Sequence, residues 1–276
     1  MRAIDIKQNR VRYHGEIFQS PIEAIDVVSS RRMLHDHEDS LNYIDEEEWT
    51  GYVSGEDFQR DYRASKCDLD AVKTVEVGIR TTETKERKRI QFYNDVCGFQ
   101  PIVPLALMGV PTSMRNQRTV KQKSKIVDIV VDCTASCYVK AEQMAKASVS
   151  IVSEIMALEQ QGYRVNLMAG FVSCQSQQCD FILVKIKDSS QPINLSRMLY
   201  PFSTASFVRR LGFAWYERTE GVDFEFGYGR PIKYMTDSYR QRLKDAIGKQ
   251  TILIAVSDIV QKSEDEVKAL IKDAVI

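Results

Sequence analysis

Histidine is scarce in this chain: the 276 residues hold three, His14, His35 and His37, all in the N-terminal third. No serine carries a nucleophile-elbow signature, so the sequence offers no convincing nucleophile with its base. Long hydrophobic runs are also missing. No segment approaches the roughly 20 apolar residues that a bilayer span needs, and the opening residues 1–8 lack the apolar core of a signal peptide. Neither sign of charge dominates: 38 basic residues stand against 38 acidic ones, which gives no global preference for nucleic acid or an anionic membrane. Six cysteines are scattered at 67, 97, 133, 137, 174 and 179. Neither the 133/137 nor the 174/179 pair has the two-residue gap of a zinc knuckle, and no histidine follows the second pair. The expectation is a soluble cytoplasmic protein with reduced thiols and no membrane partner.

What is present is ordinary for a globular protein, with 43% hydrophobic and 28% charged residues. The length suits one large domain or two small ones. From Val110 to Lys125 the chain turns polar and basic, with Arg115, Arg118, Lys121, Lys123 and Lys125 and no periodicity. This divides the sequence into an N-terminal accessory region (1–109), a basic connector (110–125) and a C-terminal unit (126–276). The connector's cations could touch phosphate, which makes nucleic acid an alternative partner through 115–125. With no aromatics interleaved for base stacking, a solvated linker is the simpler reading.

The N-terminal region carries helix-start grammar twice. Ser20-Pro-Ile-Glu23 and Ser54-Gly-Glu-Asp57 each place a cap and a first-turn carboxylate ahead of apolar residues. Between them lies an acidic stretch in which His35 and His37 are too closely spaced, without a third partner, to make good metal ligands. Val75 to Thr84 and Ile90 to Asn94 read as strands. Phe99 to Met108 is apolar but broken by Pro101 and Pro104, which suggests a packed loop.

The C-terminal unit alternates clearly. Ile126 to Val131 is a buried strand, and Lys140 to Leu158 is a helix with Met144, Ser148, Ile151, Ile155 and Leu158 on one face, stopped at Gly162. Arg164 to Val172 and Asp180 to Lys187 form an antiparallel hairpin. Ser206 to Tyr216 is a short helix. Its Phe207, Leu211 and Trp215 read as a core stripe, the alternative being a basic-aromatic surface with Arg209, Arg210, Arg218 and Tyr216. Gly227-Tyr-Gly229-Arg-Pro231 is a turn and not a phosphate loop. Thr251 to Val256 is a second buried strand, and Ser263 to Glu266 caps a last helix. The order implies an α/β fold with a mostly parallel sheet and one antiparallel edge, in which 126–131 and 251–256 are central parallel neighbours.

Asp132, Thr134 and Ser136 stand where the first strand of that unit gives way to its helix. Open α/β sheets place ligands there. Asp-x-Thr-x-Ser offers three hard oxygens within a turn, which suits Mg²⁺, or Mn²⁺ or Ca²⁺, better than zinc. Each residue could instead cap the helix through backbone N–H groups.

These residues resemble the von Willebrand factor A-like domain, whose metal-ion-dependent adhesion site reads Asp-x-Ser/Thr-x-Ser after the first strand. The resemblance covers roughly 124–276 and implies a short Rossmann-like fold. It also implies a threonine from a loop before a helix, here Thr204, and an aspartate ending the next central strand, here Asp258. The metal ligands it implies are thus Asp132, Thr134, Ser136, Thr204 and Asp258. Two strands usual after the third motif are missing, so the sheet is either truncated or completed from the N-terminal region, for example by Val75 to Thr84. The overall arrangement is similar to uncharacterised phage- and prophage-encoded proteins. The implied function is a metal-assisted protein-binding or scaffolding module that meets an acidic side chain of its partner. The alternative is a Mg-dependent hydrolase or phosphatase using Asp132. Thr134 stands where a haloacid-dehalogenase-type enzyme would carry its second carboxylate, which weighs against that alternative.

Overall fold

A computed structural model of the protein describes residues 1–8, 10–34, 39–44, 50–64, 88–121, 125–134, 139, 141–174, 177–203, 205–223, 227–228, 237–248, 251–260, 262, 266–267, 269 and 271. Alternating side chains build the first hairpin. β1 (Arg2–Gln8) pairs antiparallel with β2 (Val11–Phe18), and Val11, Tyr13 and Ile17 of β2 are buried while Arg12 and His14 are half-buried. Helix α1 (Pro21–Ser30) begins as its sequence requires: Ser20 Oγ accepts the Glu23 N–H at 3.1 Å, and Glu23 in turn accepts the Gln19 N–H at 2.6 Å. Helix α2 (Gly55–Ala64) starts at Ser54, which accepts the Glu56 N–H at 3.1 Å, and buries Phe58 and Tyr62.

The next segment departs from expectation. β3 (Lys88–Asp95), β4 (Gln100–Pro101), a short helix α3 (Val103–Leu107) and β5 (Met114–Lys121) form a separate antiparallel sheet in the order β3-β5-β4. The basic stretch expected to be an irregular connector is thus largely a strand, paired along its length with β3. A strand open to solvent on both faces needs no alternating apolar pattern, so periodicity could not reveal it. Phe99 to Met108 is not packed either: Phe99, Val103, Leu107 and Met108 are exposed. The strand expected at 75–84, His35 and His37, and the cap at 263–265 lie outside the described residues.

β6 (Ile126–Asp132), helix α4 (Ala141–Gln160), β7 (Arg164–Cys174) and β8 (Gln178–Lys187) follow the expected order. Met144, Ser148, Ile151, Ile155 and Leu158 of α4 are buried on one face, and Gly162 ends the turn beyond it at φ 88. β7 and β8 make the antiparallel hairpin. Helix α5 (Leu195–Ser203) leads to a π-helical turn (Phe207–Gly212) that continues as α6 (Phe213–Glu217). Phe207, Leu211 and Trp215 are core, as the stripe implied, but Tyr216, Arg210 and Arg218 are interior too, which removes the basic-aromatic surface. Arg210 donates to the carbonyls of Tyr43 at 2.9 Å and Tyr52 at 2.5 Å, and Arg218 pairs with Asp39. The carbonyls that accept from Arg210 and the Asp39 carboxylate beside Arg218 offset the cost of taking these two charges out of water. Helix α7 (Asp237–Ile247), β9 (Ile252–Ala255) and a last short helix α8 (Val256–Ile259) complete the described elements.

The protein is therefore mixed α/β, with a six-stranded, mostly parallel sheet in the order β1-β2-β8-β7-β6-β9. β2–β8, β6–β7 and β6–β9 run parallel. β9 is the parallel neighbour of β6 as expected, but it lies at the edge and not the centre. Among the described residues no strand covers its far side. The N-terminal region does extend the sheet, at the opposite edge: Arg12–Phe18 of β2 registers with Gln178–Val184 of β8, satisfying backbone groups that an edge would leave open. Gly15 belongs to this pairing, because a Cβ there would sit 2.3 Å from the Phe181 carbonyl oxygen.

Each face of the sheet carries its own core. One packs Val127, Ile129, Val131 and Phe171 against α1, α2, α4, α5 and the π-helical segment. The other packs Tyr13, Val130, Val172 and Phe181 against Leu243, Ala246 and Ile247 of α7. Among the described residues no helix is long and apolar enough to cross a membrane.

Candidate functional site

The chain leaves β6 through α4 on one face and enters β7 on one side. It later approaches through α7 on the other face and enters β9 on the opposite side of β6. From the carboxyl ends of β6 and β9 the chain leaves onto the same face, since Val256 and Ile259 of α8 share the core beneath α4; open α/β sheets bind their ligands outside such strand ends. Asp132 ends β6 at that point and pairs in register with Ala255, the last residue of β9.

Asp132 is fully buried, not on a surface-facing loop end. Its Oδ1 accepts the Thr134 backbone N–H at 3.0 Å and the Thr134 hydroxyl. Thr134 Oγ1 also lies 3.2 Å from the Val172 carbonyl oxygen and accepts the Val172 N–H at 3.3 Å. One carboxylate and one hydroxyl thus tie the end of β6 to the end of β7, the local turn-capping role that Asp and Thr often take. Cys133 points to the other face: it belongs to the core beneath α4, and burial first, then the Asp132 charge, pushes its thiol well above the ordinary range. The soft donor therefore sits apart from the hard ones.

The remaining expected ligands divide. Ser136 and Thr204 lie outside the described residues. Asp258, in α8, is paired with Arg240 of α7 at 2.9 Å. Ser257, two residues past the rung that joins Ala255 to Asp132, has a buried Oγ with no hydrogen-bond partner among the described residues. Also among the described residues, no three His, Cys, Asp or Glu side chains cluster as metal ligands. Asp132 and Thr134 are brought together, whereas Asp258 is engaged elsewhere.

A second polar group at the same end of the sheet escaped sequence reasoning. His14 of β2 and Asp180 of β8 are register partners on parallel strands, and His14 Nδ1 lies 3.3 Å from Asp180 Oδ1. Asp180 is fully buried and also accepts from Gln178 Nε2 at 2.8 Å, Tyr216 Oη at 3.2 Å and the Asp223 N–H at 3.2 Å. A carboxylate held by so many donors orients its histidine and has little freedom to act alone. The trace in the sequence is Arg12, His14 and Glu16 at alternate positions of β2, polar between buried neighbours. Nothing in the sequence tied them to a residue 166 positions away.

Between the two groups stand Cys174 and Cys179, cross-strand partners beside the β7–β8 turn with their sulfurs 3.3 Å apart. Both are buried and reduced. Burial, then the neighbouring Cys179 thiol, and then the charges of Asp132 and Asp180 hold the Cys174 thiol well above its usual range.

The fold and this strand-end cluster define an α/β protein with polar groups gathered at one end of a mixed sheet. Residues 10–273 match the family described as Domain of unknown function (DUF7192), and the chain belongs to that family. No curated protein and no solved structure matches it.

Proposed function

We propose that this protein is a binding module of the von Willebrand factor A-like, Rossmann-like kind, which captures a protein partner at the carboxyl ends of β6 and β9. The observation that carries this reading is the position of Asp132: it closes β6 in register with Ala255, the last residue of β9, at the carboxyl ends of parallel strands, where open α/β sheets bind ligands. The strand order β8-β7-β6-β9, with one antiparallel hairpin, is in keeping with the resemblance. The donor set fits a hard cation in type, since Asp132 and Thr134 bring oxygens together and the adjacent Cys133 thiol turns to the other face. Asp132 and Thr134, with Ser136, Thr204 and Asp258, would hold Mg²⁺, or Mn²⁺ or Ca²⁺. A bound ion would supply electrophilic positions for a partner's carboxylate. Asp258 would first have to leave Arg240.

The test is thermal unfolding with Mg²⁺, Mn²⁺ or Ca²⁺ against EDTA, beside partner capture with and without chelator. The expected outcome is a metal-dependent rise in Tm and chelator-sensitive capture, both absent from Asp132→Asn. Equal capture by the two proteins would overturn the reading. The second reading, a Mg-dependent hydrolase, draws on the His14–Asp180 pair, an arrangement that general bases use. It requires phosphoester turnover above the level of a His14→Ala variant.

A further inference from the structure

Half of the large hydrophobic side chains exposed among the described residues fall in one segment, 88–121: Ile90, Phe92, Tyr93, Val96, Phe99, Val103, Leu107 and Met108. Such a concentration in a chain with a well-buried core marks a binding surface. Its composition is layered. Residues 96–113, the end of the hairpin beyond the last β3–β5 rung, hold no charged side chain. They carry the most exposed apolar residues of the group, Leu107 at 83% and Met108 at 75%. The neighbouring rungs change character at once. Arg115, Tyr93, Phe92 and Arg118 follow one another down the β3–β5 ladder. The Arg115 guanidinium lies 6.0 Å from the Phe92 ring centroid and that of Arg118 lies 5.5 Å from the Tyr93 centroid. Further down, the strands carry Lys88, Arg89 and Lys121. The whole ladder sets these five cations against a single carboxylate, Asp95.

We infer that this hairpin is a membrane-docking arm that seats on an anionic phospholipid surface. A lipid leaflet presents the same sequence of chemistries: hydrocarbon, then an interfacial layer favoured by aromatic rings, then anionic headgroups that attract lysine and arginine. The scale agrees as well. At about 3.4 Å per residue, the span from Arg115 to Arg118 is about 10 Å, close to the ~5–8 Å of each polar layer of a bilayer. Each guanidinium sits over a ring, so charge and apolar surface can serve the boundary together. The rim of a protein interface is polar without preference for one sign, whereas the charged residues of the β3–β5 ladder are cations but for Asp95. The helix α3 is far too short to cross the bilayer, so the arm lies at the surface and does not span.

The test is co-sedimentation of the full chain with vesicles of phosphatidylcholine alone or mixed with phosphatidylglycerol, at low and high salt. The wild type is expected to bind the anionic vesicles, to leave them as salt rises, and to ignore the neutral ones. Leu107→Asp with Met108→Asp is expected to reduce binding to background. Arg115→Gln with Arg118→Gln is expected to weaken it on the order of tenfold or more. All four residues are outside the core, so unchanged far-ultraviolet circular dichroism and Tm verify that each variant folds. Failure of the wild type to bind, or equal binding by the tip variant, overturns the inference. So does a concentration-dependent dimer in sedimentation velocity that the tip variant abolishes, because the tip would then cover a second copy of the chain.

Discussion

Asp132 combines two demands at one residue. It ends a strand whose other side chains are apolar, and its carboxylate is taken fully out of water while accepting from Thr134 twice. Replacing it with alanine leaves the Thr134 N–H without its acceptor in a dry site, so Asp132→Ala is expected to cost about 2 kcal/mol. That exceeds the roughly 1 kcal/mol of a simple helix cap. Urea unfolding of wild type, Asp132→Ala and Asp132→Asn measures it, with the asparagine keeping most of the stability because its amide oxygen can accept the same bonds. Lys187 and Glu159 make a similar case. Their ion pair at 2.6 Å is almost completely buried, and Lys187 also donates to the Val165 and Asp188 carbonyls. Lys187→Met alone is expected to cost about 3–5 kcal/mol by stranding the Glu159 charge. The double change with Glu159→Leu should recover most of that loss in the same unfolding experiment.

At the scale of elements, the β7–β8 hairpin holds two opposed thiols in an apolar setting. Because burial raises the Cys174 thiol pKa in the folded protein, the unfolded chain releases that proton first as pH rises. The hairpin's contribution is therefore complete below the ordinary thiol value of ~8.5 and is lost as pH climbs through the raised folded value. Tm is expected to fall between neutral and strongly alkaline pH in wild type, and to fall less in Cys174→Ala. The same shift keeps the thiolate scarce near neutrality. Closure of a Cys174–Cys179 disulfide by oxidised glutathione should therefore be slow at pH 7 and faster at alkaline pH, as followed by thiol titration. In β2, the backbone of Gly15 lies against Phe181 of β8, and an added Cβ would overlap the carbonyl there. Gly15→Ala is expected to force the two strands apart and lower Tm, whereas Gly109→Ala, in open space at φ 70, should show only the smaller backbone penalty of a left-handed position.

For the whole molecule, the question is where an independently folding unit begins. The six-stranded sheet takes β1 and β2 from the first 18 residues and β6 to β9 from the last 151. Phe18, Ile25, Phe58 and Tyr62 share one core with Ile151, Phe171 and Trp215. A fragment of residues 126–276 would expose the β8 edge and one wall of that core. It is expected to be aggregated or partly unfolded, with co-expressed residues 1–125 restoring solubility. A well-dispersed amide NMR spectrum from the fragment alone would contradict this.

The sequence by itself determined the elements that bury one continuous face. The strand at 126, the helix to 160, the hairpin that follows and the caps at Ser20 and Ser54 are all legible, because burial imposes a period of 3.6 or 2 and helix ends need side-chain acceptors. It also located Asp132 and Thr134 at a strand end, since both lie within three residues of an apolar run. Tertiary structure alone decided what depends on partners distant along the chain. β5 is a strand because β3 satisfies its backbone, and its exposed residues carry no pattern that says so. β9 is an edge because no described strand follows on its outer side, and His14 meets Asp180 only because β2 registers with β8. Arg210 is interior because Tyr43 and Tyr52 bring carbonyls to it. Local patterns record which side of an element meets water, whereas the pairing of elements is settled by long-range packing and hydrogen bonding, which leave no periodic trace in either partner's sequence.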